Sequence, residues 1–169
     1  MQTTRLAAVL MPLIEIDDQW HLLFTRRAAT LVNHRGQVSF PGGAWEESDE
    51  NLESTALREV WEEIGIPSEN IELLGCLEPR MLISGFLVTP VIGKISWPTE
   101  LKITELEVEK VFSIPFSWLI NNDNRYLQDR EWLGNKYPVV YYNPYDEEVL
   151  WGATASMTLE LLKILGLII

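Results

Sequence analysis

The chain has 169 residues and a mass of 19.4 kDa, with 47% hydrophobic and 22% charged residues, which is material for one ordinary core and hardly for two. Thirteen Lys and Arg against 25 Asp and Glu leave a formal net charge of −12, so a counterion-releasing surface for DNA or RNA is excluded as the chain's main business. An anionic small-molecule ligand would need a metal ion or a local arginine cluster to hold it. The single cysteine, Cys76, has no partner for an internal disulfide, and His21 and His34 make no zinc site unaided. With no apolar leader after Met1 and no run of about 18 apolar residues, the expectation is one soluble, cytoplasmic domain over residues 1–169 with no membrane span.

In chain order, Leu6 to Ile16 and Trp20 to Arg26 read as two strands about the acidic turn Asp17-Asp18-Gln19. Gln37 to Phe40 alternates polar and apolar residues, as a short strand does, and runs into a glycine loop at Pro41-Gly42-Gly43. Glu50 to Ile64 contains neither Gly nor Pro; Asp49 is placed to cap it, and Gly65 and Pro67 supply stop signals, which predicts a helix. Ile71 to Leu77, Phe86 to Ile95 and Lys110 to Phe112 are strand-like, and Thr154 to Leu167 is an apolar closing helix whose start the Thr154 hydroxyl could cap. Strands before, between and after two helices predict an α+β fold, an α/β/α sandwich with a mixed β-sheet between helices.

The chemistry concentrates on the first helix. At about 100° per residue, Leu52, Ala56, Leu57, Val60, Trp61 and Ile64 fan over the core face, while Glu59, Glu62 and Glu63 share an adjoining arc of about 100°. The pairs Glu59/Glu62 and Glu59/Glu63 are like charges one turn apart, each costing about 0.2–0.5 kcal/mol on an isolated helix. Hard oxygen ligands grouped this way suit Mg²⁺ or Mn²⁺, which pair a few carboxylates with substrate phosphate oxygens. A solvated acidic face is the ordinary alternative, but Phe40-Pro41-Gly42-Gly43 stands just before the helix, where backbone can approach whatever the acids hold.

Arg58-Glu59-Val60-Trp61-Glu62-Glu63-Ile64-Gly65-Ile66, with Gly43 upstream, resembles the Nudix box: Gly, five residues, an acid, seven residues, then Arg-Glu-x-x-Glu-Glu-x-Gly-x. From Gly43, five residues lead to Asp49 and eight more to Arg58, one beyond the usual spacing, so Asp49 and Glu50 both remain open as the acid. That longer loop is similar to the coenzyme A pyrophosphatase branch of the Nudix hydrolases, as are Leu23-Phe24-Thr25-Arg26-Arg27-Ala28, Gly36 and Phe40-Pro41-Gly42-Gly43 upstream. Val32 stands where that branch's signature has a further Arg. Ser84 to Pro90, Glu107-Val108, Ile114-Pro115-Phe116 and Trp151 to Ala155 extend the resemblance over nearly the whole chain.

The resemblance implies a Nudix fold and hydrolysis of coenzyme A to 3′,5′-ADP and 4′-phosphopantetheine, with Mg²⁺ or Mn²⁺ on Glu59, Glu62, Glu63 and the Gly43 carbonyl. It implies that Arg58 orients a box carboxylate through Asp49 or Glu50. The general base is open among Glu59, Glu62 and Glu107. Arg27, Arg35, Gly42 and Trp45 are candidate substrate contacts. Other diphosphates (ADP-ribose, NADH, a nucleoside triphosphate) and a nucleotide-binding module without turnover are the alternatives. Cys76 and Trp61 read as core residues and His34 as a turn residue. The tail Leu161 to Ile169 reads first as core packing and second as a homodimer or membrane-surface contact.

Overall fold

The computed structural model describes residues 4–29 and 36–169; Val32, His34 and Arg35 lie outside the described residues. The opening strands are β1 (Arg5–Ile16) and β2 (Gln19–Arg27). They are joined at Asp17 and Asp18, whose φ of 50° and 60° supplies the left-handed backbone of a two-residue hairpin turn. β1 and β2 pair only from Leu13↔Leu22 to Ile16↔Gln19 and then diverge. Two short strands enter the fork: β3 (Val38–Ser39) pairs with β2 at Thr25 and Arg26, and β4 (Gly42–Ala44) pairs with β1 at Ala7 to Val9. The expected glycine loop is therefore a strand. A Cβ on Gly42 would overlap the Ala8 carbonyl and Val9, a closeness that only glycine permits.

Next comes α1 (Leu52–Ile64), capped by Asn51 rather than by Asp49. Asn51 Oδ1 accepts from the Ser54 amide at 2.8 Å and the Asn51 amide donates to Ser54 Oγ at 2.9 Å, a reciprocal capping box. Gly65, at φ 71°, closes the helix with its N–H on the Val60 and Trp61 carbonyls. β5 (Ile71–Cys76), β6 (Arg80–Met81) and β7 (Phe86–Ile95) follow, then β8 (Val108–Pro115). β7 lies parallel to β1 from Arg5↔Phe86 to Leu13↔Lys94, whereas β5 and β6 pair antiparallel with β7, and β8 with β2. The result is one mixed eight-stranded sheet.

The sheet is covered on both faces, as a sandwich requires. Ala8, Leu10 and Ile14 of β1 bury against Ala56, Val60 and Ile64 of α1. Met11 and Leu13 turn the other way, into a second core with Ala155, Leu161 and Leu162 of α3 (Gly152–Ile164). The period-two alternation of β1 thus feeds two cores at once. Between β8 and α3 lie the short α2 (Phe116–Leu119) and a separate hairpin of β9 (Arg125–Trp132) and β10 (Asn135–Tyr142). The hairpin was not anticipated from the sequence, although Leu133-Gly134 at φ 50° and 76° forms its turn.

Several single-residue expectations are corrected. Trp61 is 53% exposed, because Ala56, Val60 and Ile64 already fill the stripe facing the sheet and Trp61 falls about 100° past Val60. Cys76 is exposed, with Sγ 3.6 Å from Glu53. The Thr154 hydroxyl caps nothing; it donates to the Val38 carbonyl and ties α3 to β3. Leu161 and Leu162 are buried, but Ile164, Leu165, Leu167 and Ile169 are exposed, so the apolar tail serves the core only in its first part. Among the described residues no helix is long and apolar enough to cross a membrane.

Candidate active site

The site forms where α1 passes β4 and the segment leading into β8. Gly43 sits directly beneath Glu59: a Cβ there would overlap the Glu59 carboxylate, so the glycine holds open the space the acid occupies. Glu63, one turn further on, is 4% exposed and receives the Gly42 amide, which makes Gly42 a support for the acid. Glu62 lies on the outer side of the arc and is about half exposed. The Gly-Gly sequence and the acids, distant by a whole loop in the chain, thus meet through the β4–β1 pairing.

Arg58 organises the rim. Its Nε donates to Asp49 Oδ1 at 2.9 Å and its Nη2 to Asp49 Oδ2 at 3.1 Å, a two-pronged pair. Asp49 Oδ2 also accepts from Thr55 Oγ1 at 2.9 Å and from the Glu46 amide at 3.0 Å. The structure therefore selects Asp49 over Glu50 as the partner of Arg58. The hydrogen bonds from Arg58, ahead of the opposing effect of burial, hold the Asp49 carboxyl down at about 2, and the same pairing raises Arg58 above its ordinary value. Thr55 was not anticipated. Its signal is a buried threonine in the first turns of a helix, facing back toward the acid that precedes it.

The same guanidinium reaches the metal-site candidates. Nη1 donates to Glu59 Oε1 at 3.0 Å and to Glu62 Oε2 at 3.1 Å, while Nη2 also holds the Ala44 carbonyl at 2.9 Å. No hydrogen bond from the described residues reaches Glu59 Oε2 or Glu62 Oε1. Burial pushes the Glu63 carboxyl up to about 8, with the neighbouring Glu59 adding to the rise; Arg27 and the Gly42 amide oppose it. Glu59 is also raised, by burial first, against the pull of Arg58. Glu107, exposed on the segment before β8, acts electrostatically on both Glu59 and Glu63.

These groups fit a hard divalent cation in kind: all are oxygen donors, one is a buried carboxylate, and a glycine keeps the space beside them open. Among the described residues, no three Asp, Glu, His or Cys side chains already stand around one point at ligand distance. Arg27 acts electrostatically on Glu63, and its Nε is buried with no hydrogen-bond partner among the described residues. An arginine beside acids with an unsatisfied Nε, in a chain of net charge −12, suits an incoming anion. Arg26, its neighbour in sequence, is consumed elsewhere by Glu109 and the buried Glu148 at 3.0 and 2.9 Å. Trp45 is 39% exposed and donates Nε1 to the Asp49 carbonyl at 3.3 Å, beside the rim and open to solvent.

A glycine strand, a helix with three acids and an arginine clamp on a mixed sheet between helices define a Nudix hydrolase. The NUDIX domain model matches residues 4–134, and the chain belongs to that family. It is 42% identical over 153 residues to an uncharacterized Nudix hydrolase NudL of Pectobacterium atrosepticum, covering 90% of this chain and 79% of that one. A NudL of Photorhabdus laumondii is 39% identical, with 90% and 81% covered. Among solved structures the fold is similar to a Nudix hydrolase from M. smegmatis, RenU, with TM-score 0.58, 20% identity and 68% and 72% of the two chains covered. The NUDIX domain of Shewanella oneidensis NrtR, solved with ADP ribose, gives TM-score 0.53 at 22% identity, covering 69% and 76%.

Proposed function

We propose that this Nudix hydrolase cleaves the diphosphate of coenzyme A or its derivatives to 3′,5′-ADP and 4′-phosphopantetheine. The observation that carries the reading is Arg27, half-buried and acting electrostatically on Glu63, whose Nε is buried with no hydrogen-bond partner among the described residues. It lies in the segment Leu23 to Ala28 that resembles the coenzyme A pyrophosphatase branch. Glu59, Glu62 and Glu63, with the backbone at Gly43, would hold Mg²⁺ or Mn²⁺. Bound there, the cation supplies positive charge against the diphosphate and acidifies a water ligand.

The chain's own residues divide the remaining work. Arg27 binds a phosphate oxygen and fixes the diphosphate over α1. Asp49, itself held by Thr55, holds Arg58, which in turn holds one oxygen of Glu59 and one of Glu62, leaving the other oxygen of each free for ligation. Glu107 takes the proton of the attacking water, a choice supported by what its rivals are doing. Glu59 and Glu62 both accept from Arg58 Nη1, and a carboxylate so bonded is a poor base, whereas Glu107 is exposed and accepts no hydrogen bond from the described residues through its side chain.

Incubation of the purified chain with coenzyme A, ADP-ribose, NADH and dGTP, each with Mg²⁺ and with Mn²⁺, tests the reading by product mass. Release of 4′-phosphopantetheine is expected. Cleavage of another diphosphate alone would keep the metal chemistry and discard the substrate, and binding without turnover would replace the enzyme by a nucleotide-binding module.

A further inference from the structure

The segment that carries Glu107 is fastened to the end of α1 at two residues, Thr104 and Lys102. Thr104 donates twice into the last turn of the helix: its amide to the Glu63 carbonyl at 2.9 Å, and its hydroxyl to the Glu62 carbonyl at 2.5 Å. Its own carbonyl accepts from the Glu107 and Val108 amides, each at 2.9 Å, which winds residues 104–108 into a single turn leading into β8. Lys102 adds a third rung, from its amide to the Ile64 carbonyl at 2.9 Å. The Glu107 carbonyl then accepts from the Ala28 amide at 2.9 Å, beside Arg27. Three carbonyls of the helix terminus, which would otherwise look to water, are thus satisfied by the segment bearing Glu107.

The approach is close enough to depend on Gly65. A Cβ there would overlap Lys102 at its Cβ, 2.6 Å away, and press on its backbone. Two of the three carbonyls held belong to Glu62 and Glu63 themselves, so the segment takes its position from the backbone of the same residues whose carboxylates form the acidic arc.

We propose that Thr104 is a positioning residue: by hydrogen-bonding the Glu62 and Glu63 carbonyls and the Glu107 amide together, it sets the distance of Glu107 from the acids of α1. The proposal rests on the reading of Glu107 as the proton acceptor. The hydroxyl is its separable part. In Thr104→Val the shape and the backbone bonds persist and the bond to the Glu62 carbonyl goes; in Thr104→Ser the hydroxyl returns.

The test is a double-mutant cycle on turnover of the cleaved diphosphate, with kcat and KM measured separately and thermal unfolding recorded for each variant. Glu107→Gln is expected to lower kcat about 10²-fold, the loss typical of a missing general base. Thr104→Val is expected to lower kcat about 10-fold with KM nearly unchanged, the effect of a misplaced reacting group, and Thr104→Ser to recover most of that. In Glu107→Gln the further change Thr104→Val should cost less than about twofold, because the two act as one unit. Independent, multiplying losses, or a Thr104→Ser variant as slow as Thr104→Val, would overturn the proposal. A Glu107→Gln variant with wild-type kcat would overturn it while leaving the hydrolase standing, provided that Glu59→Gln is inactive. A wild-type chain that hydrolyses no diphosphate would overturn both.

Discussion

Asp49→Asn isolates the clamp from the metal ligands. Asp49 accepts four hydrogen bonds: Oδ1 from Arg58 Nε at 2.9 Å, and Oδ2 from Arg58 Nη2, Thr55 Oγ1 and the Glu46 amide at 3.1, 2.9 and 3.0 Å. Every partner is a donor, so an amide must set its NH₂ against at least one of them. The least damaging orientation keeps oxygen at Oδ2 and places NH₂ against Arg58 Nε. That removes one charge-assisted bond, worth about 1.5–3 kcal/mol, and deprives a mostly buried guanidinium of the one carboxylate that holds it through both oxygens, leaving it the single-oxygen pairs with Glu59 and Glu62. Allowing for partial relaxation, the expected loss is about 2–4 kcal/mol. At about 2–4 °C per kcal/mol for a domain of this size, Tm should fall by about 5–15 °C.

A second effect separates this reasoning from general destabilisation. Arg58, facing a neutral amide and held there by one bond instead of two, keeps its bonds to Glu59 and Glu62 and pairs more strongly with them, so the Mn²⁺ concentration for half-maximal turnover should rise by about tenfold, as for other residues that orient a metal ligand. Glu50→Gln, the alternative that sequence spacing left open, should match the wild type in both measurements. Differential scanning fluorimetry and a metal titration suffice. A Tm within about 1 °C of wild type for Asp49→Asn, or an unchanged metal requirement, would refute the clamp.

The same bond predicts a pH dependence. Because the folded carboxyl of Asp49 titrates at about 2, below its ordinary 3.8, its contribution is fully present above about pH 4 and is lost as pH falls through 2. The stability gap between the wild type and Asp49→Asn, measured by urea unfolding, should close over that window and stay constant above it. Gly43→Ala should abolish turnover while the chain still folds, since the new methyl takes the place of the Glu59 carboxylate; circular dichroism and the activity assay together check both halves. Glu63→Gln should raise the Tm of the metal-free chain at neutral pH, because the folded carboxyl, pushed up to about 8, stays protonated there while the unfolded one ionises and favours unfolding; the gain should vanish below about pH 4, and with millimolar Mn²⁺ added, the wild type should gain Tm and the variant should gain little. Arg27→Ala should raise KM for the diphosphate at least tenfold with a smaller change in kcat, and a KM unchanged within twofold would remove Arg27 from substrate binding.

The helix and its acids were legible because both signals are local: the interval without Gly or Pro, the stop at Gly65, and the arc shared by Glu59, Glu62 and Glu63. Asp49 was misread as a cap for an equally local reason. Asp and Asn are near-equivalent caps, and the preference for Asn51 arises only because Arg58 and Thr55, a turn or more away, claim the aspartate. Gly42 and Gly43 signal close approach in any reading, but their pairing with Ala8 and Val9 depends on the splay of β1 from β2, which no short window contains. Trp61 went to the wrong face because a half-wheel of apolar residues is wider than the stripe that the sheet can cover. The β9–β10 hairpin was hidden by its composition: with Gln128, Asp129, Arg130 and Glu131 in one strand and solvent on most of its surface, its alternation carries little apolar contrast.

Arg58 explains how the acidic arc is tolerated before any ligand arrives. Glu59, Glu62, Glu63 and Glu107 gather in a chain already at −12, and Glu63 is buried at a cost that raises its proton affinity. One guanidinium offsets part of this by bonding Asp49, Glu59 and Glu62 together. It does so asymmetrically: Asp49 is held through both oxygens, but Glu59 and Glu62 through one each. A neutralised arc would have no remaining affinity for a cation, and an uncompensated one would repel itself and the substrate alike. Holding a single oxygen of each acid fixes the geometry while leaving charge to be satisfied, and in the function proposed above that residual charge would draw the metal and, through it, the diphosphate.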